Sequence, residues 1–403
     1  MVSEMITNIG VFINKEKLFY HEGGSTTFDV PSCKLCILMN KNCIFGVAVL
    51  LLCFVSCTKD KYYATDELVE VDFPEYPDSI SGKPISVGIN KDLYAACNYK
   101  DLVIYFSYSS PLVHVMNAKN DSVIAEFGEV GHSKVEFEEI PNSCYFRKNQ
   151  KGDLIMCFRE SLNTKRINLT STLSQSKCVL EKNVKNIHVG MNLSTFWLTD
   201  SNRVEYLPYG FEGDARDYVN SASRIDVYKG KECKSYSAYP SILSNENGID
   251  NELYMACLEM SPDLTKCIEL PFFQDRFTIV DLKKGKTIGV KPKKESDDYF
   301  ESLHSLSKED VRSKLKLQIV NYALSDSYIF IWHNGKISIT DPDAEEQIPN
   351  NPEMRIFDWS GNFITSVILK GKIICFTYNE VANAIYAVDV EGLTVRYDLS
   401  KIL

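Results

Sequence analysis

Apolar residues in this chain gather in short runs of five to seven positions, separated by turn residues. The clearest are Leu102–Tyr108 (LVIYFSY), Asp153–Phe158 (DLIMCF), Arg203–Leu207 (RVEYL), Leu253–Leu258 (LYMACL) and Phe277–Leu282 (FTIVDL). Later come Tyr328–Trp332 (YIFIW), Met354–Trp359 (MRIFDW), Ile364–Leu369 (ITSVIL), Ala384–Asp389 (AIYAVD) and Thr394–Leu399 (TVRYDL). β-Branched and aromatic side chains dominate them, and such side chains suit a pleated, half-buried surface. Asn334-Gly335, Ser360-Gly361-Asn362, Lys284-Gly285-Lys286 and Glu391-Gly392 supply the backbone freedom of tight hairpin turns. One stretch departs from this pattern. Ser307-Lys308-Glu309-Asp310 has capping-box form, with Val311, Leu315 and Gln318 at helical spacing after it. It predicts a short helical insertion near 301–318.

Many short strands joined by hairpins predict an all-β sandwich, barrel or propeller. A recurring unit bears on the choice: an apolar strand, an Asp near its end, a Gly turn and a second strand. It is present at Ile225–Gly230, Ile279–Gly285 and Ile356–Gly361. Gly230 and Gly285 are 55 residues apart, and Gly361 follows 76 later, across the expected insertion. Propeller blades repeat at about 40–50 residues. Cys57–Leu403 comprises 347 residues, enough for six blades with generous loops.

The N-terminal region follows another rule. Asn40–Cys57 reads NKNCIFGVAVLLLCFVSC: a lysine, an apolar run from Cys43 to Val55, then Ser56 directly before Cys57. This is the order of a secretory signal peptide. The run falls short of the roughly 20 apolar residues that a spanning helix needs. Phe54-Val55-Ser56-Cys57 resembles a bacterial lipobox, which implies cleavage before Cys57 and lipid on its sulfur. Met39 is the expected start of the signal (39–56), and 1–38 is an over-extended, acid-containing leader. Residues 57–66 form a tether and 67–403 one propeller domain, since no Pro/Gly/Ser-rich linker divides them.

Four lysines and four acids cancel within residues 1–56, so the remainder carries the whole formal charge of −10. That balance disfavours nucleic acid as a partner, because phosphate backbones demand clustered Lys and Arg. It also disfavours docking on anionic headgroups and leaves acyl chains as the membrane anchor. Of 13 cysteines, eight follow Cys57, mostly inside apolar runs where the thiol acts as a small hydrophobe. An oxidising envelope permits one disulfide among them, which the sequence does not specify. The lone CxxC, Cys33–Cys36, precedes the signal and lacks a partner CxxC.

No catalytic motif emerges. His114, His132, His188, His304 and His333 form no HxxxH or HExxH, and GxSxG and GxxxxGK[ST] are absent. Asp297-Asp298 and Glu345-Glu346 read as solvated loop charges, and Asp341–Glu345 lacks EF-hand spacing for calcium. No catalytic, cofactor-binding or metal residue is assigned, and Cys57 alone is marked, for lipidation. Aromatics make up 11 % of the chain, with clusters at Tyr62-Tyr63 and Tyr206–Tyr209 able to stack on sugars or peptides.

Four segments carry a family likeness: Ile124–Phe137 (IAEFGEVGHSKVEF), Met260–Lys266 (MSPDLTK), Ser325–Phe330 (SDSYIF), and Met354–Asn362 with Ala384–Leu399. Together they resemble the TolB-like six-bladed propeller lipoproteins of Bacteroides-type bacteria. Two departures stand out, His132-Ser133-Lys134 in place of Gly-Pro content and Leu264 where Gly is usual. The resemblance implies a six-bladed β-propeller of four-stranded antiparallel blades, closed by Leu68–Phe73 or Ile85–Ile89 joining the C-terminal blade. It implies an outer-membrane lipoprotein on the periplasmic or surface face, acting as a binding or scaffold module. Its ligand, an envelope protein, peptide or glycan, would sit at the central mouth. The alternative is a propeller-type lyase or hydrolase for glycans or lactones, which needs His, Tyr/Arg or metal carboxylates at the axis.

Overall fold

The apolar runs do become strands, and hairpins order them into sheets. A computed structural model describes residues 65–85, 88–89, 92–141, 143–160, 162–186, 194–207, 223–237, 254–293, 310, 314–338 and 349–403, with backbone alone over 335–338. The proposed leader, signal, Cys57 and the tether up to residue 64 lie outside these residues.

Three short strands come first: β1 (Glu67–Val71), β2 (Asp78–Ser81) and β3 (Lys83–Pro84). Blade 1 follows with β4 (Leu93–Tyr99), β5 (Leu102–Ser107), β6 (Val113–Asn117) and β7 (Ser122–Phe127). Blade 2 has β8 (Cys144–Lys148), β9 (Leu154–Arg159), β10 (Asn163–Asn168), the helix α1 (Leu169–Gln175) and β11 (Leu180–Lys185). Blade 3 has β12 (Ser194–Trp197), β13 (Asn202–Leu207), β14 (Arg224–Lys229) and β15 (Glu232–Tyr236). Blade 4 has β16 (Ala256–Met260), β17 (Lys266–Pro271), β18 (Phe277–Asp281) and β19 (Lys286–Pro292). Blade 5 has β20 (Lys316–Leu324), β21 (Tyr328–Ser338), β22 (Glu353–Asp358) and β23 (Phe363–Lys370). Blade 6 joins β24 (Ile373–Asn379), β25 (Ala384–Asp389) and β26 (Thr394–Asp398) to β3. The result is a six-bladed β-propeller.

The core lies in the seams between blades rather than in one centre. Phe106 and Phe137 meet Phe158 between blades 1 and 2. Phe277 packs on Phe357 between blades 4 and 5, and Phe330 stacks on Tyr378 between blades 5 and 6. Tyr105 and Met116 of blade 1 pack with Tyr386 and Val388 of blade 6, so the last blade closes on the first. Polar groups seal the same seam. Asn379 donates to the carbonyls of Lys100 and Leu102 at 2.7 and 3.2 Å, and the Tyr386 hydroxyl donates to Asp121 at 2.8 Å.

Ring closure differs in detail from expectation. The segment that joins blade 6 is β3, paired antiparallel with β26, and Ile85 continues it by donating its N–H to the Thr394 carbonyl. Leu68–Val71 goes elsewhere: β1 lies parallel to β19 as a fifth strand of blade 4. Strand β2 likewise lies parallel to β23 on blade 5. The N-terminal segment is thus a strap across the outer edges of three consecutive blades. Gly82 lets it cross blade 6 closely, since a Cβ there would stand 2.2 Å from Val395 Cγ1.

The Asp-Gly repeat is real at two of its three sites. Asp281 and Asp358 end the third strands of blades 4 and 5, and each accepts backbone N–H groups of the following turn. Asp398, at the end of β26, does the same in blade 6, and Asn117 and Asn168 take the role in blades 1 and 2. A carboxylate or amide oxygen placed there mimics a backbone turn. Asp226 is the exception. It lies inside β14 and pairs with Arg224 and Ser235, because the β14–β15 turn holds only Gly230 and Lys231.

Asn334-Gly335 is not a hairpin turn. It falls inside β21, where pairing jumps from Ile319↔His333 to Leu317↔Ile337 and the extra residues bulge. Asp310 and Lys314 have helical backbone, the rest of 301–313 lies outside the described residues, and strand β20 begins at Lys316. The short helix α1 had no sequence expectation. Asn168 caps it by accepting the N–H of Ser171 at 2.9 Å. Leu264 keeps the left-handed backbone (φ 57°) usual for Gly, while its side chain packs on the seam of blades 2 to 4.

Candidate functional site at the propeller axis

The first strand of each blade lines the axis, so polar side chains there meet across the ring. Arg159 stands at the end of β9, where the apolar run Leu154–Phe158 gives way to charge. Its guanidinium reaches Glu259 on β16 at 2.5 Å. Blade 3 lies between these two blades, so the contact spans it on the inner side of the ring. The same guanidinium donates to Ser194 of blade 3 at 2.9 Å and to Ser143 of blade 2 at 2.8 Å. Tyr322 of blade 5 donates its hydroxyl to Glu259 at 2.9 Å. Four blades are therefore joined by one hydrogen-bonded bridge. Arg159 also stacks on Phe196, 4.5 Å from the ring centroid.

Burial pushes the Tyr322 phenol well above its ordinary range, with Cys257 and Glu259 adding to the effect. Burial likewise pushes the Cys257 thiol up to about 12, with Glu259 adding to it. For Arg159, burial favours the neutral form, but Glu259 and Tyr322 outweigh it and hold the guanidinium charged. At neutral pH the bridge is an ion pair flanked by protonated phenol and thiol. A protonated thiol is a poor nucleophile. The arrangement suits recognition and rigidity rather than covalent chemistry.

The histidines lie away from this bridge. His114 is fully buried within blade 1, between Glu126 at 2.7 Å and Ser107 at 3.1 Å. His132 is exposed on the loop after Gly128. His333 faces Asp275 at 3.3 Å in a second charged cluster, under the strap between blades 4 and 5. There Arg355 grips both oxygens of Asp275 at 2.7 Å and stacks on Phe73 of the strap, 3.8 Å from its centroid. His188, His304, Asp297-Asp298, Asp341–Glu345, Glu345-Glu346, Tyr62-Tyr63 and Tyr209 lie outside the described residues, as do Cys33–Cys36 and Cys57. Tyr206 is no stacking platform: it is buried and its hydroxyl donates to Glu269 at 2.9 Å. Among the described residues no group of three or more His, Cys, Asp and Glu could hold a metal. No described helix is long and apolar enough to cross a membrane.

The Ile124–Phe137 segment folds as a plug at the blade 1–2 seam. Gly128 takes φ +97°, and a Cβ on it would stand 2.7 Å from the Phe137 ring. Where His132-Ser133-Lys134 departs from the family pattern, Glu136 accepts the Ser133 N–H at 2.8 Å and closes the turn.

No protein-family model and no curated protein matches this chain. Solved structures do. A member of the DUF4221 family from Bacteroides vulgatus aligns with 80 % of this chain and 96 % of its own, at 11 % identity and a TM-score of 0.47. The Cps50 (Swd1) β-propeller domain of Myceliophteria thermophila aligns with 79 % of this chain and all of its own, at 10 % identity and a TM-score of 0.39.

Sequence reasoning missed Arg159, Ser143, Ser194, Glu259 and Tyr322. One signal was available. Glu259 interrupts the apolar run Tyr254–Met260, and a lone charge inside a strand of a buried sheet demands a partner.

Proposed function

We propose that this protein is an exported, lipid-anchored propeller of the TolB-like kind that serves as a binding or scaffold module of the cell envelope. Acyl chains on Cys57 hold it to the outer membrane, and the tether to Glu67 spans at most about 35 Å. The wheel therefore works close to its membrane. The observation that carries the binding reading is the axial bridge. Arg159, Ser194, Glu259 and Tyr322 converge from four blades, with their polar groups matched to one another and no thiolate or free base among them. Such a floor can orient a peptide or glycan whose polar groups enter the mouth above it. Propeller enzymes of the lyase or hydrolase type need a His or several acids there. Among the described residues the bridge offers one acid, already paired.

The test is purification of the intact lipoprotein from its native membranes. A co-purifying protein or oligosaccharide, diminished by Tyr322→Phe, supports the proposal. Turnover of a glycan or lactone by the pure protein would replace it with the enzymatic reading. Cys57→Ala should move the protein from the membrane to the soluble fraction; retention in the membrane would overturn the anchor.

A further inference from the structure

The eight cysteines that follow Cys57 leave the disulfide question open in the sequence, and the fold narrows it to one pair. Cys97 lies on β4 and Cys144 on β8, the axial strands of blades 1 and 2, and their sulfurs are 3.2 Å apart. The segments 94–99 and 141–146 meet in a constant register. The Tyr94 hydroxyl donates to the Pro141 carbonyl before the thiols, and Tyr99 stacks on Phe146 at 4.6 Å after them. Each of the three contacts joins residues 47 positions apart, close to one blade repeat. The sulfurs are therefore held between two fixed points, and bringing them to bonding distance needs a shift of about 1 Å. Among the described residues, no other two cysteines have sulfurs in hydrogen-bond contact. Cys157 and Cys375 lie buried within blades 2 and 6, and Cys233 is exposed on β15.

We infer that Cys97 and Cys144 form a disulfide that staples blade 1 to blade 2 at the axis. The oxidant is a thiol–disulfide exchange partner, a protein or small-molecule disulfide. One cysteine loses its proton, and its thiolate attacks the partner's S–S bond, expelling one partner thiolate. The second cysteine then loses its proton and attacks the mixed disulfide, releasing the second partner thiolate. Two cysteine thiols are oxidised and one partner disulfide is reduced to two thiols. Burial pushes the Cys144 thiol well above its ordinary range, and Cys97 beside it adds to that. The chemistry depends only on this seam; the compartment in which it occurs rests on the export reading above.

The test uses the full chain, reduced, freed of reductant and incubated with oxidised glutathione. Free thiols are then alkylated and the digest is read by mass spectrometry. The expected result is a cross-linked Cys97–Cys144 peptide, about 2 Da lighter than the two free peptides together, with both sites lost from the alkylated pool. Oxidation should also raise the melting temperature of the wild-type chain and leave that of a C97S/C144S double variant unchanged. Recovery of both cysteines alkylated, or of Cys144 carrying glutathione without a cross-link, overturns the proposal even if the double variant fails to fold. Acid-quenched alkylation in cells separates the two readings. A pair that joins in vitro but is free in cells keeps the site and counts against export.

Discussion

The two halves of the wheel treat their outer edges differently. Blades 4 to 6 are wrapped by the N-terminal strap, whereas β7, β11 and β15 end their sheets with no further strand among the described residues. Composition follows this division at β11 and β15 but not at β7 (SVIAEF), which is mainly apolar. The covered strands read KTIGVKP (β19) and FITSVILK (β23), and β19 is almost wholly buried. The uncovered ones include LEKNVK (β11), half exposed, and ECKSY (β15), almost wholly exposed, each carrying lysine. An open sheet edge is a template for another chain, and lysines are one way to discourage it. Parallel pairing with β1 and β2 is the other way, and it allows the outer strand to be apolar. The lesson is that a strap of about twenty residues decides what half of the propeller's rim is made of.

Removing the strap should have the largest effect. Deleting residues 67–90 takes β1, β2 and β3 away together. It uncovers β19 and β23 and leaves blade 6 with three strands. Loss of cooperative unfolding and aggregation are expected, read by calorimetry and light scattering. A deletion protein with unchanged melting would refute the view that the strap closes the ring.

A single anchor should show the same asymmetry at smaller scale. Phe73 meets Phe363 and Phe357 edge-on at 5.1 and 6.1 Å and lies under the Arg355 guanidinium. Phe73→Ala should cost about 2–3 kcal/mol in denaturant unfolding, since the ring is partly rather than fully buried. Tyr76, 84 % exposed on the same strap, is the control, and its replacement by Ala should change little.

Acid should loosen the strapped half next. Burial at Asp275 favours the neutral acid, but His333 and Arg355 outweigh it and bring its pKa down to about 2. The ordinary value is 3.8, so the folded state holds the carboxylate more tightly than the unfolded chain does. Its contribution is complete above about pH 4 and is lost as pH falls through about 2, at most about 2 kcal/mol. Asp275→Asn should remove that part of the acid dependence. An unchanged stability profile between about pH 4 and 2 would contradict the pairing.

How much of this was legible in the sequence follows the same division between covered and uncovered surface. In blades 1 to 3 the clear apolar runs were β5, β9 and β13, the second strands, which are packed on both faces. Their outer neighbours β11 and β15 carry too many polar residues to stand out. The last three blades gave more, because β22, β23, β25 and β26 are all apolar on at least one face. The strap was recognised as the closing element, but its course was not: Leu68–Phe73 and Lys83–Ile85 are similarly short, and only three-dimensional packing assigns them to different blades. The axial bridge was hidden for a further reason. Arg159, Glu259 and Tyr322 are far apart in sequence and share no spacing. They are neighbours only because closing a ring brings the end of β9 in blade 2 to the first strands of blades 4 and 5.

The smallest effect belongs to the uncovered rim. Lys182 is exposed on β11, the last strand of its sheet, and faces Arg166 in register on β10. If lysine at this position keeps other chains off the edge, its value lies in the monomer's solubility rather than its stability. Lys182→Val should therefore shift unfolding by no more than about 0.5 kcal/mol, the range for a surface change away from special features. Sedimentation velocity should nevertheless show dimers or larger species at concentrations where the parent is monomeric. The same exchange at Lys286, on the covered strand β19 beside Glu67, should leave the sedimentation pattern unchanged, because β1 already occupies that edge. Equal association of the two variants would mean that the strap, for all its contacts, does not shield the edge it lies on.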